Sequence, residues 1–169
     1  MIVLPRELQM MNGNLFDVDH PERAVYDIDL VATIMGRICR YNNHCHYHYS
    51  DAEHSYHASY LWPANPKGAL MHDAPEFITG DFLSPIKQRI KGFKEIEWRI
   101  ERDMETRFNY TQPEPAFKEI DIALFCREEE VLFPNARFPG QLPQVEIHCW
   151  SPEMATEMFL QRYWELTNG

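Results

Sequence analysis

Apolar residues recur with a helical period over most of this chain. Between Asp27 and about Arg40, the set Ile28, Val31, Ile34, Met35 and Ile38 falls on one helical face. Ser50 to Glu53 reads Ser-Asp-Ala-Glu, the capping-box form, so a helix is predicted to open there, carry Glu53, His54 and His57, and end at Pro63. Asn65 before Pro66 pairs an N-cap with proline at the first helical position, which predicts a third helix through Met71, His72 and Asp73 toward Gly80. Ser84-Pro85 repeats that start signal. It heads a long fourth helix whose buried stripe is Ile86, Ile90, Phe93, Ile100, Met104 and Phe108, with Gly92 as its weak point. A fifth helix is predicted from about Pro115 to Phe133, stopped by Pro134. A sixth starts at Ser151-Pro152 and carries Met158, Phe159, Tyr163 and Leu166. Only Gln144 to Trp150 alternates like a strand. The expected class is all-α: a single domain over residues 1–169, a bundle of roughly six helices, with irregular structure near residues 1–26 and 134–150.

Composition narrows the partners. A chain of 169 residues with 44% apolar content can fill one core. No apolar run approaches the roughly 18 residues of a membrane span, and the stretch from Met1 to Phe16 lacks the basic and apolar regions of a secretory signal, so no membrane association and a cytoplasmic setting (a host's, were the chain phage-encoded) are expected. A formal charge of −10 repels duplex nucleic acid but leaves room for a small phosphorylated metabolite held by local cations or a metal. Cys39, Cys45, Cys126 and Cys149 form no CxxC pair and read as reduced thiols. The donors His44, Cys45, His46 and His48, with His148 and Cys149, suit a separate structural zinc, but their spacing matches no established pattern; a solvated loop or histidines lining a substrate mouth is the expectation. Glu128 to Glu130 reads as a solvated helical face.

The chemistry lies where the helical period calls for apolar residues and meets histidine or acid instead. His54 stands near the start of the second helix, His72 and Asp73 are adjacent on the third, and Asp121 lies among Phe117, Leu124 and Phe125 on the fifth. A core-facing aspartate is costly unless paired or bound to a cation. Two imidazoles and two carboxylates suit one divalent ion such as Mn, Fe, Co or Zn, and leave positions open for water and substrate oxygen. Glu76 follows His72 at i+4 and Asp73 at i+3 on the same helical face, and Gly80-Asp81 brings another acid to the helix's C-terminal edge. Pro75 removes one helical hydrogen bond and should bend this helix, freeing the Met71 carbonyl.

The ordered set "YNNHCHYHYSDAEHSYHASYL", "ALMHDAPEFITGDFLSPIK" and "FKEIDIALFCREEEVLF" resembles the HD-domain phosphohydrolases, in the branch of bacterial 5'-deoxynucleotidases and phage deoxyadenosine-triphosphate triphosphohydrolases. "RICRYNNH" and "SPEMATEMFLQRYWEL" extend the resemblance over about residues 14 to 167. It implies metal ligation by His54, His72, Asp73 and Asp121. Glu76 corresponds to the acid that orients or deprotonates the attacking water, and Asp81 to an acid assisting the leaving group or the water. Arg40 matches a phosphate-binding arginine, Lys87 a lysine beside the site, and Lys118 a phosphate-facing lysine. Tyr41 falls where relatives have Trp against the deoxyribose, which leaves discrimination against a 2'-hydroxyl open. The implied substrate is a small nucleotide, mono- or triphosphate. Oligomeric relatives suggest a homo-oligomer in which a second subunit completes the pocket wall. Two alternatives stand beside this reading: a guanosine tetraphosphate hydrolase, whose acidic pair after the HD is here Glu76-Phe77, and an inactive nucleotide-sensing member, although no ligand or acid is missing.

Overall fold

A computed structural model of the protein describes residues 6–137 and 143–169. Two very short antiparallel strands, β1 (Leu8–Gln9) and β2 (Leu15–Phe16), pair Leu8 with Phe16 and Gln9 with Leu15. The α-helices are α1 (Ile28–Arg37), α2 (Asp51–Leu61), α3 (Pro66–Met71), α4 (Glu76–Thr79), α5 (Ser84–Lys87), α6 (Phe93–Phe108), α7 (Phe117–Leu132) and α8 (Pro152–Asn168), joined by turns and irregular segments. The all-α bundle expected from the apolar period is the fold observed. Among the described residues, no helix is long and apolar enough to cross a membrane.

The polar start signals work as side-chain caps, each satisfying one orphan N–H of a first turn. Asp27 accepts from the Leu30 N–H at 2.9 Å, Ser50 from Glu53 at 3.1 Å, Asn65 from Gly68 at 2.9 Å and Ser151 from Met154 at 3.3 Å. Ser84-Pro85 differs: Ser84 lies inside α5, whose flanking residue Leu83 offers no side-chain cap.

Two of the predicted helices are broken. The third splits into α3 and α4 around Pro75, yet the Met71 carbonyl is not freed. It accepts from the Ala74 N–H at 3.1 Å, a tighter turn taking the place of the bond proline cannot donate. The fourth splits at Gly92, whose φ of +84° is left-handed and ends the helical period. As a result Ile86 and Ile90, predicted to be buried, are 47% and 41% exposed, while Phe93, Ile100, Met104 and Phe108 beyond the break are buried. The predicted strand at Gln144 to Trp150 forms no regular element, and Cys149 within it takes a left-handed φ of 54°. Within the stretches expected to be irregular, residues 1–5 and 138–142 lie outside the described residues.

The main core joins α1 (Leu30, Val31, Met35), α6 (Ile100, Met104, Phe108) and α8 (Ala155, Phe159, Tyr163). A smaller cluster of Ala58, Ala69, Phe117 and Leu124 ties α2 and α3 to α7. The close approach of α1 to α8 depends on Gly36, where a Cβ would stand 2.4 Å from Thr156 Oγ1 and 2.6 Å from the Pro152 carbonyl oxygen. Gly36→Ala is expected to cost about 1–3 kcal/mol through overpacking, more than its gain of about 1 kcal/mol in helix propensity. Urea unfolding checks this, and a variant as stable as the wild type would contradict it.

Candidate metal centre

Three elements aim donors at one point. The Ser50 cap fixes the start of α2 and so the inward register of His54, which is fully buried. The break at Pro75 leaves His72 and Asp73 on the turn that follows α3, and α7 presents Asp121 from the face that carries Phe117 and Leu124. His54 Nε2 lies 3.4 Å from His72 Nε2, 3.3 Å from Asp121 Oδ1 and 3.7 Å from Asp73 Oδ2. His72 Nε2 lies 3.2 Å from Asp73 Oδ2 and 3.9 Å from Asp121 Oδ1. Donors around a tetrahedral ion with bonds near 2.0–2.1 Å stand about 3.3 Å apart, so the spacing fits a cation. His54, His72 and Asp121 form a group that could hold a metal ion.

The ring orientations agree. His72 Nδ1 is 2.8 Å from the Ala69 carbonyl oxygen, which can only accept; Nδ1 therefore carries the proton and Nε2 keeps its lone pair for the centre. His54 Nδ1 is 2.5 Å from Glu128 Oε1, the same carboxylate–histidine pairing found behind metal ligands. Burial, then Arg40, presses the His54 imidazole toward neutrality, but Glu128 and Asp121 outweigh both and raise it to about 10. Burial pulls the Asp121 carboxyl up, and the bond to His54 with the charges of His54 and His72 holds it well below the usual range. Asp73 is held low against the same burial by His72, His54 and Arg40.

A cleft of about 620 Å³ opens onto the centre, lined by Arg40, Tyr41, Asp73, Glu76, Asp81, Lys87, Lys118 and Asp121 among others. The acids and bases that the family resemblance assigns to the site, outside the two histidines, therefore line one cavity, of a size usual for small ligands. The cations in it are engaged with acids. Arg40 donates to Asp73 at 3.1 Å, Lys87 to Glu76 and Glu97 at 2.7 Å each, and Lys118, 71% exposed, to Asp121 at 2.6 Å. Glu76 is buried; desolvation, then Asp73, pushes its carboxyl up to about 8 despite Lys87. Asp81 accepts from the Tyr41 backbone N–H at 3.1 Å. That bond holds a strained loop: Tyr41, Asn42 and Asn43 take φ of 59°, 50° and 61°, costly for a tyrosine above all. Tyr41 donates through its hydroxyl to Glu128 at 2.6 Å and packs its ring against Phe133.

One reading of the sequence is corrected here. Glu128 and Glu129 are not a solvated face. Glu128 is fully buried and accepts from Tyr41, from the Tyr49 hydroxyl at 3.0 Å and from His54, while Glu129 is buried in an ion pair with Arg137. Only Glu130, paired with Arg127, is exposed. The histidine-cysteine loop assembles no second centre among the described residues: His48 Nε2 lies 3.1 Å from the Gly36 carbonyl oxygen, Cys45 Sγ lies 3.6 Å from Cys39 Sγ, and His148 stacks on Trp150. Glu53 also departs from the capping-box pattern. Its carboxylate accepts from the backbone N–H groups of His148, Cys149 and Trp150 at 2.7, 3.0 and 2.8 Å, which is why that stretch needs no partner strand.

No family model matches the chain. It is 33% identical over 119 residues to the uncharacterized protein RCAP_rcc00048 of Rhodobacter capsulatus, a match covering 64% of this chain and 61% of that protein. It is 30% identical over 95 residues to the uncharacterized protein YfdR of Escherichia coli, covering 56% of this chain and 53% of the relative. The matched stretches thus span less than two thirds of either relative's length.

Proposed function

We infer that this chain is a metal-dependent phosphohydrolase of the HD-domain kind that cleaves a phosphate ester or anhydride of a nucleotide, a deoxynucleoside mono- or triphosphate first of all. The observation that carries the reading is the convergence of His54 Nε2, His72 Nε2, Asp73 Oδ2 and Asp121 Oδ1, from three separate segments, with each imidazole oriented by a fixed partner. Asp73 completes the three-residue group as fourth ligand. Two nitrogens and two carboxylate oxygens suit a first-row divalent ion such as Mn, Fe, Co or Zn. When bound, such an ion supplies positive charge that acidifies water and polarises a phosphoryl oxygen.

The chain's own residues do the rest. Glu76, buried beside the centre with a carboxyl poised near neutrality, takes the proton of the attacking water. Asp81 fixes the Arg40–Tyr41 loop through the Tyr41 N–H and faces the leaving group. Arg40, Lys87 and Lys118 exchange carboxylate partners for phosphate oxygens, the electrostatic complement that phosphoryl transfer asks of a protein. Tyr41 forms the wall against the sugar. Phe77, where a tetraphosphate hydrolase would carry its second acid, is buried against Phe16 and Tyr26, which disfavours that alternative.

The test is release of phosphate, pyrophosphate or triphosphate from a panel of ribo- and deoxynucleoside mono- and triphosphates, by protein stripped of metal and reloaded with manganese or cobalt. No release from any member overturns the reading. Within the same assay Glu76→Gln is expected to keep the ion bound between the imidazoles and to lower turnover at least about tenfold. Full activity in that variant would remove Glu76 from its role.

A further inference from the structure

We propose that Asp51, Glu76 and Asp81 form a second cation site beside the imidazole centre, one that takes a hard divalent ion (Mg²⁺, Mn²⁺ or Ca²⁺) through oxygen alone. One carboxylate oxygen from each residue lies within 4.8 Å of the others. Two oxygens bound to one ion with bonds of 2.3–2.6 Å stand at most about 5 Å apart, so the three carboxylates lie within the span that a single hard ion bridges.

Crowded acids alone would carry nothing; the state of Asp51 does. It opens α2, is fully buried, and neither of its oxygens accepts a hydrogen bond from the described residues. The nearest cation, Arg40, stands 3.6 Å away and gives its hydrogen bond to Asp73 instead. Glu76 repeats the pattern: Oε1 takes the Lys87 ammonium, while Oε2 is buried with no partner among the described residues. Buried carboxylate oxygens without donors are unfavourable, and a cation at their common centre removes the cost for both residues at once. An all-carboxylate donor set with no imidazole or thiolate selects a hard ion over the softer metals suited to the neighbouring centre. The site also deepens the proposed hydrolase, because such an ion beside Arg40 and Lys87 would meet the phosphate chain of a nucleotide. It does not rest on hydrolysis, and ion counting tests it apart from turnover.

The experiment loads the imidazole centre with Co²⁺, followed by its visible absorption, and then titrates Mg²⁺ and Mn²⁺ by calorimetry and by thermal shift. Wild-type protein is expected to take one further ion per chain and to melt at a higher temperature with it. Asp51→Asn should keep the cobalt spectrum and bind the further ion at least tenfold more weakly. Asp81→Asn, at a partly exposed position, gives the same weakening by an independent route. Wild-type protein that takes no further ion overturns the proposal. So does Asp51→Asn protein that binds it as tightly as wild type, or one whose melting temperature rises equally with and without magnesium, the mark of an acid that merely relieves repulsion. If no nucleotide is cleaved but the second ion still binds and depends on Asp51, the cation site stands and the hydrolase reading falls.

Discussion

Asp121→Ala protein is expected to purify without metal and to lose nucleotide cleavage by more than a hundredfold. Loss of a residue that merely orients a ligand already costs about 10–100-fold in metal affinity, and Asp121 supplies a donor itself. Its Oδ1 is 3.3 Å from His54 Nε2, and the carboxyl is held well below its usual range by the two imidazoles, so at neutral pH it is the anion a metal requires. Removing it leaves His54 and His72 facing each other at 3.4 Å with Asp73 as the one remaining carboxylate of the set. Lys118 simultaneously loses the oxygen it holds at 2.6 Å, but its side chain is 71% exposed, so that pair is worth little to the fold. The variant should therefore stay folded while elemental analysis finds no bound metal. Metal content and turnover equal to wild type would show that the convergence of these side chains is structural only.

Much of this centre is legible in the sequence because its residues interrupt an apolar period. Asp121 among Phe117 and Leu124 is costly in a core whatever the fold, and the caps at Asp27, Ser50, Asn65 and Ser151 announce the helices that aim the donors. Two participants were hidden by their neighbours. Glu128 sits in a run of three glutamates that resembles a solvated face, although it lies seven residues after Asp121, two turns along the same side of α7. Asp51 falls inside the Ser-Asp-Ala-Glu start signal, at a first-turn position where the helix dipole favours any acid, although its i+3 spacing from His54 puts it on the ligand's face. In both cases local charge pattern outweighed helical phase. The strand expected at Gln144 to Trp150 failed for a different reason. Alternation describes a chain with two faces, but a strand also needs a neighbour for its N–H groups, and here the Glu53 carboxylate, about 95 residues away in sequence, takes that place. Long-range capture of this kind leaves no periodic trace.

Glu128→Ala is expected to be the most destabilising single change around the centre, costing about 3–5 kcal/mol as befits a buried ion pair broken on one side. Glu128 is fully buried and its two oxygens serve four groups: His54 Nδ1 at 2.5 Å, the Tyr49 hydroxyl at 3.0 Å, the Tyr41 hydroxyl at 2.6 Å and Arg40 Nε at 3.4 Å. Burial works against the charge, yet the charges of His54 and Arg40 and the bonds from His54 and Tyr41 hold the carboxyl at about 2, so Glu128 is a carboxylate throughout the physiological range. A carboxyl held low in the fold stabilises it above the ordinary carboxylate pKa of about 4.3, and that contribution disappears as pH falls toward 2. Wild-type protein should therefore lose stability steeply on acidification over this window, and Glu128→Ala should show a shallower loss from a lower starting point. Glu128→Gln separates charge from shape: it keeps an acceptor for one tyrosine but cannot neutralise Arg40 or His54, so denaturant unfolding should place it between alanine and wild type. The metal answers the same question by another route. Without Glu128 to accept from Nδ1, His54 is free to rotate or change tautomer, and affinity at the centre should drop about 10–100-fold even though no ligand has been removed. Unfolding within 1 kcal/mol of wild type, with unchanged metal affinity, would mean that the tyrosines and Arg40 satisfy one another without the carboxylate, and the account of what orients His54 would be wrong.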